Sequence, residues 1–200
     1  MFRNASGKIL VRFWHFPIMT LGPGKRLGIW LQGCSIHCKG CIAPENQPFD
    51  EKFSVEIDSL IDEMKPALKE ASGITISGGE PLDQKESLLY LLERLNNLGT
   101  RDILLYSGYT KNEIISKCPQ IMNLIAALID GAFIMGALTN SIWKGSENQT
   151  LNFFRSEFYT KYENWINASE ETGRKLQLVK KGIDYYLIGI PEQTSNLKGV

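Results

Sequence analysis

Apolar positions along the chain follow two periods, and the two periods take turns. Strand-like runs occur at "KILVRFW" (8–14), "RLGIWLQG" (26–33), "GITISGG" (73–79), "RDILLYSG" (101–108), "LIDGAFIM" (128–135) and "DYYLIGI" (184–190). Between several of them lie patterns of helical period. Ile57, Leu60, Ile61, Met64 and Leu68 trace one face of a helix, because side chains three and four positions apart stack on the same side. Pro66 falls inside that pattern and is expected to kink or shorten the helix, since it lacks an N–H and crowds the preceding turn. Leu88, Leu91, Leu92 and Leu95 repeat the pattern ahead of Gly99, a predicted C-terminal stop. Ile114, Ile115 and the stretch from Met122 to Leu128 predict further helix, broken near Pro119.

Strand, helix and strand in succession imply parallel pairing through right-handed crossovers. The chain of 200 residues shows no repeat and no low-complexity segment, so one compact unit over 1–200 is expected. A complete eight-fold β/α barrel takes about 250 residues. The predicted fold is therefore α/β, a partial, open-sided (β/α) barrel of about five to six mainly parallel strands. Such folds gather functional groups on the loops after the strands' C-terminal ends. Here those loops carry the cysteines after "GIWLQG", "GGEP" after "ITIS", "SGYT" after "ILLY", and "DG" within "LIDGAF". An open side suits a protein partner that presents a loop into the cleft.

Charge adds little to this picture. Lys and Arg number 22 against 22 Asp and Glu, which nominates neither nucleic acid nor an acidic membrane as a partner. No apolar run approaches the roughly 18 residues of a membrane span, and the N-terminus does not read as a secretory signal. A cytoplasmic protein is expected. Of four cysteines, three crowd into "GCSIHCKGC" (33–41) and Cys118 stands far away, a distribution that fits metal binding or redox chemistry better than a disulfide framework.

Short thiolate spacings let several sulfurs converge on one inorganic centre, and Gly33 and Gly40 ease so tight a wrap. Cys34, Cys38 and Cys41 are the candidate metal ligands. Their spacing leaves three readings open: an iron-sulfur cluster, zinc, or uncoordinated thiols. A structural zinc would have to recruit His37 or Cys118 as a fourth ligand, whereas a catalytic zinc would keep three and a water.

The C-x3-C-x2-C loop of Cys34, Cys38 and Cys41 resembles the signature of radical S-adenosylmethionine (SAM) enzymes, and "SGGEP" (77–81) is similar to their second motif. "GPGKRLGIWLQGCSIHCKGC", "LYSGYT" (105–110), "IDGAF" (129–133) and "WKGSENQ" (143–149) narrow the resemblance to the activating enzymes of glycyl radical proteins, above all those of anaerobic (class III) ribonucleotide reductase. The likeness runs from about residue 20 to 150. Departures include "CIAPENQ" after the third cysteine and Lys144 in place of an arginine. The segment 151–200, with "KLQLVKKGIDYYLIGIPEQ" (175–193), extends beyond the match.

What the resemblance implies is specific. A 4Fe-4S cluster would be held by three thiolates, with its fourth iron chelated by the amino and carboxylate groups of SAM. Reduction by a low-potential donor such as flavodoxin or ferredoxin would cleave SAM to a 5'-deoxyadenosyl radical, which abstracts a hydrogen atom from a glycine of a partner glycyl radical enzyme. Gly78 and Gly79 would let backbone approach the methionyl end of SAM. Glu80 would accept from its ammonium group or brace that loop, and Pro81 would set the loop's exit. Gly40 lies where the family's adenine-contacting residue sits, and Ser107 and Tyr109 would contact ribose or carboxylate. Asp130 would be a further polar group near cofactor or partner, with Asn148 and Gln149 capping the site opposite it.

Plainer readings stand beside these. Tyr109 also reads as packing, Asp130 as a turn acid beside Gly131, and Asn148 as a helix cap. His15 reads as a strand residue, Cys118 as a small buried one, and "FFRSEFYTKYENW" (153–165) as a packing or partner-docking face. Two other functions are carried forward: a radical SAM enzyme modifying a peptide or small molecule, and a non-enzymatic zinc or iron-sulfur binding module.

Overall fold

The helical stripes and the strand runs meet on one sheet. The computed structural model describes residues 7–192. Its elements in chain order are β1 (Lys8–Ile18), β2 (Arg26–Leu31), β3 (Ser54–Glu56), α1 (Ile57–Glu70), β4 (Gly73–Gly78), α2 (Lys85–Asn97), β5 (Ile103–Ser107), α3 (Lys111–Lys117), β6 (Ala127–Asp130), β7 (Thr150–Phe153), α4 (Tyr159–Thr172), β8 (Gln177–Lys181) and β9 (Asp184–Ile188). Seven strands form one sheet in the order β3-β1-β2-β4-β5-β6-β7, and β8 and β9 form a separate hairpin.

β2, β4, β5 and β6 pair in parallel. β1 and β7 run against their neighbours, and β3, antiparallel to β1, shares the direction of the centre. The sheet is thus mostly parallel and open at both edges, the partial barrel expected from length. Two short edge strands, β3 and β7, raise the strand number above the predicted five to six.

Alternation along each strand sorts the core into two faces. Ile29, Ile74, Ile76, Ile103, Leu105 and Leu128 join Ile61 and Met64 of α1, Leu88 and Leu92 of α2, and Ile114 of α3 in one cluster. Each fully buried Leu or Ile there is worth about 1.5–3 kcal/mol relative to exposure. On the opposite face Leu104, Ala127 and Ile129 pack against Tyr162 of α4. Farther along the same face, Ile18 and Leu21 pack against Val179 and Ile188 of the hairpin. The aromatic stretch from 153 to 165 is accordingly packing, with Phe153, Tyr162 and Trp165 meeting edge to face.

At the N-terminal ends of the parallel strands, the wholly buried Arg26 ties the layers together. It donates to Thr75 Oγ1 at 2.8 Å, to Asp102 Oδ2 at 3.1 Å and to the Tyr162 hydroxyl at 3.3 Å, and Tyr162 in turn donates to Asp102 at 2.8 Å. The Lys161 ammonium pairs with the same carboxylate. Burial pushes the Asp102 carboxyl up, but Arg26 and Lys161 together outweigh it and hold the group below its usual value. Burial also raises the Tyr162 phenol.

Three expectations are corrected. Pro66 does not shorten α1, which runs on to Glu70; Pro66 and Asp62 are both exposed, so water reaches the carbonyl that proline leaves unbonded. The stretch from 122 to 128 is not helix but the end of a 3-10 turn (Pro119–Asn123) followed by β6. A short apolar run buried on both sides reads the same either way. The strand sought in 128–135 ends at Asp130, where Gly131 turns the chain with φ 105°.

Candidate metal centre and its surrounding loops

The cysteine loop leaves β2 and returns almost to its starting point. Gly33 N donates to Asn46 O at 2.8 Å and Cys34 N to Gln47 O at 2.9 Å. The Gln32 side chain donates to the carbonyls of Glu45 and Pro48 at 3.0 and 2.7 Å. Gln84 then donates to the Gln32 carbonyl at 3.0 Å and accepts from Leu10 N at 2.7 Å. Departing and returning arms are thereby clasped together. Gln32, Asn46 and Gln84 carry the clasp, and no sequence signal singles them out.

The "GGEP" turn is fastened to the same point. Leu31 and Gly78 are register partners in adjacent parallel strands. Gly79 N donates to Leu31 O at 2.8 Å and Glu80 N to Gly33 O at 2.9 Å. No side chain fits at either glycine: a Cβ on Gly78, whose φ is 108°, would lie 2.4 Å from Leu31 N, and one on Gly79 would lie 2.0 Å from Gly33 O. Contacts that close require the backbone itself to move.

Glu80 turns inward. It is 1% exposed, and its carboxylate accepts from Leu82 N at 2.9 Å, Ser107 Oγ at 2.8 Å and Gly108 N at 2.7 Å. Burial pushes its pKa up to about 7, against the opposing pull of those donors. Of the two roles expected for Glu80, the geometry has the brace, joining the turn after β4 to the end of β5. Pro81 is buried and opens the 3-10 turn Pro81–Gln84. Ser107 is engaged with Glu80 and accepts from Tyr109 N at 3.1 Å.

Asp83, which carried no sequence signal, fastens the first cysteine's neighbour. Its carboxylate accepts from Ser35 N at 2.6 Å, Ser35 Oγ at 2.9 Å and the Tyr109 hydroxyl at 3.1 Å. Lys117 Nζ lies 3.4 Å from the centroid of the Tyr109 ring. Cys34, Cys38, Cys41, Gly40, Gly78, Gly79, Glu80, Pro81, Ser107 and Tyr109 are thus gathered at one end of the sheet.

The loop after β6 forms the facing wall. Met135 Sδ lies where a Cβ on Gly40 would meet it at 2.8 Å, and the Phe133 N–H donates toward the Cys38 sulfur. Asn148 and Gln149 hold this loop from behind, donating to Ala132 O and Gly131 O at 2.8 Å each. Asp130 braces its root, accepting from Lys111 N at 2.5 Å, Asn152 Nδ2 at 2.9 Å and the Thr150 hydroxyl. Lys144, buried, donates to Glu147 O at 2.9 Å and pairs with the Glu147 carboxylate at 3.1 Å. Asp130, Asn148 and Gln149 therefore shape the loop through protein contacts.

Burial raises the Cys34 and Cys38 thiols. Backbone N–H groups of Ile36 and His37 pull Cys34 the other way, and Glu80 and Asp83 add to the rise. Among the described residues no group of three or more His, Cys, Asp or Glu side chains is already closed around an ion; ligation would draw the sulfurs together within the loop. The side chains a closed zinc site would recruit are turned elsewhere. His37, at φ 50°, has Nδ1 3.3 Å from Gln47 Oε1, and Cys118 is buried beside α3 with its thiol toward Gln120. Three half-buried thiols on one loop, two of them facing backbone N–H groups, are a donor set suited to an iron-sulfur cluster.

Comparison with known proteins agrees with that chemistry. The family model described as a 4Fe-4S single cluster domain matches residues 20–152. The anaerobic ribonucleoside-triphosphate reductase-activating protein of Escherichia coli K12 is 30% identical over 152 residues, covering 70% of this chain and 97% of the relative. Its namesake in Haemophilus influenzae is 30% identical over 141 residues, covering 67% and 91%. That of Enterobacteria phage T4 is 28% identical over 137 residues, covering 65% and 85%. The solved structure of QueE from Escherichia coli aligns over 52% of this chain and 54% of its own at 18% identity, with a TM-score of 0.44. With its clasped three-cysteine loop inside the matched span, the chain belongs to the anaerobic ribonucleoside-triphosphate reductase-activating protein family.

Proposed function

We propose that this protein binds SAM at a 4Fe-4S cluster on Cys34, Cys38 and Cys41 and activates an anaerobic ribonucleotide reductase by taking a hydrogen atom from a glycine of that partner. The observation that carries the reading is the fastening of the cysteine loop to the "GGEP" turn through Gly79 N and Glu80 N. When bound, the cluster supplies an electron that cleaves the sulfonium of SAM to methionine and a 5'-deoxyadenosyl radical.

The chain's own residues bind, orient and shield. Gly78 and Gly79 let the turn lie directly against the cysteine loop, so that its backbone can meet the methionyl end of SAM. Glu80, Asp83 and Tyr109 keep that turn, the first cysteine and the end of β5 at fixed spacing. Gly40 and Met135 form the wall against which the adenine would lie, and the loop held by Asp130 and Asn148 closes the side opposite the cysteines. Electrons come from a low-potential carrier. Among the described residues no helix is long and apolar enough to cross a membrane. We assign the protein to the cytoplasm on its cysteine usage, clustered free thiols being kept reduced there.

A second reading, modification of a peptide or small molecule by the same radical chemistry, is favoured by one observation. Residues beyond 152 lie outside the family match, yet α4 and the hairpin cover a whole face of the sheet.

Anoxic protein reconstituted with iron and sulfide, mixed with SAM and dithionite, is expected to release 5'-deoxyadenosine, and Cys38→Ala is expected to abolish both the release and the full cluster content. Adding the reductase should then give a glycyl radical signal by electron paramagnetic resonance. Abundant 5'-deoxyadenosine without that signal would transfer the assignment to the second reading. Full activity in Cys38→Ala would refute both.

A further inference from the structure

The β8–β9 hairpin presents two different faces. Val179 and Ile188 turn inward onto Ile18 and Leu21. On the outward face, Leu178, Tyr185 and Leu187 are 68%, 63% and 56% exposed, and Ile183 at the tip is 92% exposed. Leu178 and Leu187 are direct register partners, as are Lys180 and Tyr185, so the apolar side chains form one contiguous strip. Such a strip marks an interaction surface more often than a solvated one.

Its charge indicates the kind of partner. Lys175, Lys180 and Lys181 are exposed, and none of the three is in an ion pair among the described residues. Lys180 stands on the outward face opposite Tyr185, whereas Lys181 lies on the inward side, donating to Trp14 O at 3.4 Å and sitting 5.2 Å from the centroid of the Trp14 ring. Asp184 is the acid among these lysines, which leaves a local excess of cations in a chain whose totals are equal at 22 and 22. A local cationic excess around an apolar strip attracts and orients an acidic protein.

The inward face leads toward the cysteines. Tyr186 stacks on Phe13 with centroids 4.0 Å apart, and Phe13 stacks on Trp30 at 4.3 Å and 2°. Trp30 is four residues before Cys34, which bounds the separation of their Cα atoms at about 14 Å. Packed rings fill the space from the hairpin to β2, the strand that feeds the cysteine loop. Electron transfer weakens exponentially with distance and falls faster across a gap than through packed atoms, so rings in contact along the way favour it. The rings shorten the through-space gap and do not themselves take up the electron.

We propose that the outer face of the β8–β9 hairpin is the docking surface for an acidic one-electron carrier protein that reduces the cluster. The proposal rests on the reductive reading of the site given above. One electron passes from the reduced carrier to the oxidised cluster; the carrier is oxidised by one, the cluster is reduced by one, and no bond or proton changes hands.

The test compares two reductants on full-length reconstituted protein: flavodoxin hydroquinone and dithionite. Cluster bleaching is followed by stopped-flow absorbance and 5'-deoxyadenosine is measured in parallel. Lys175→Glu combined with Lys180→Glu is expected to slow reduction by flavodoxin at least about tenfold at low salt, with the dithionite reaction unchanged. The wild-type flavodoxin rate should fall as salt rises. Leu178→Ser combined with Leu187→Ser should slow the flavodoxin reaction without changing its salt dependence.

Equal flavodoxin rates in wild type and both variants overturn the proposal. If the same variants instead lose glycyl radical formation on the reductase, or shift a dimer to monomer, with flavodoxin rates intact, the strip serves that other occupant and the proposal is wrong. Failure of wild type with dithionite as well would bring down the proposed function rather than the surface alone.

Discussion

The cysteine end of the sheet and its C-terminal cover are held by different forces. At the cysteine end, backbone bonds backbone: Gly33, Cys34, Gly79 and Glu80 donate their N–H groups within a few residues of the motifs. The side chains of Gln32, Gln84 and Asp83 add their bonds to the same loop arms. The cover formed by α4, β8 and β9 is held instead by side chains from distant positions. Tyr162 and Lys161 reach Asp102, Gln177 donates to Pro17 O at 2.9 Å, and Arg174 donates to the carbonyls of Thr139, Ser141 and Lys144 at 3.1, 2.8 and 3.2 Å. Chemistry is placed by short motifs that need glycine, whereas the cover is placed by long side chains that need partners far along the chain.

The largest expected effect falls on the cover. Asp102→Ala strands the buried Arg26 cation, and removing one partner of a buried pair costs about 3–5 kcal/mol. Urea denaturation should show the loss, with α4 the first segment cut by protease. Acid should act through the same group. Because its folded pKa is depressed, the stabilisation is present above the usual value of 3.8 and is lost as pH falls through the folded value. A melting temperature that is flat below that pH in wild type would remove Asp102 from this role.

A smaller loss of stability, with a larger effect on chemistry, is expected from Gly79→Ala. The added methyl collides with Gly33 O and should cost about 1–3 kcal/mol. Iron content and 5'-deoxyadenosine release should both fall, since the cysteine loop and the turn share that contact. Combining it with Asp102→Ala tests the contrast directly: the two losses should add within about 0.5 kcal/mol if the ends are independent. Stronger coupling would break the contrast.

Arg174→Ala probes a link between the two regions. Losing its carbonyl contacts should cost about 1.5 kcal/mol and loosen the loop that packs Met135 over Gly40. The KM for SAM should rise while iron content holds. Unchanged KM would leave Arg174 to the cover alone. The smallest effect belongs to Tyr109→Phe, which removes one donor to Asp83 and should cost about 0.5–1 kcal/mol, read as a small drop in melting temperature.

Much of the helical layer and of the cysteine end was legible. The stripe from Ile57 to Leu68 and the leucines from 88 to 95 became α1 and α2, because a helix face repeats locally. Cys34, Cys38, Cys41 and "GGEP" stood out because tight turns exclude most residue types. β3, β7, α4 and β8 were not legible. β3 and β7 are three- and four-residue edges, too short for a period, and α4 carries its apolar side as aromatics spaced by charged residues.

By itself the sequence determined the periods of its elements, the positions where only glycine fits, and the three thiols on one loop, since each depends on neighbours within a few residues. The tertiary structure decided which groups meet. Parallel pairing of β2 with β4 brings Leu31 beside Gly78 and so joins the two motifs. β5, next in the sheet, brings Ser107 to Glu80 and turns that carboxylate into a brace. Asp83, Gln32 and Gln84 acquire their partners in the same way. A polar side chain's role depends on what lies across from it, and that is set by strand order, which no local pattern records.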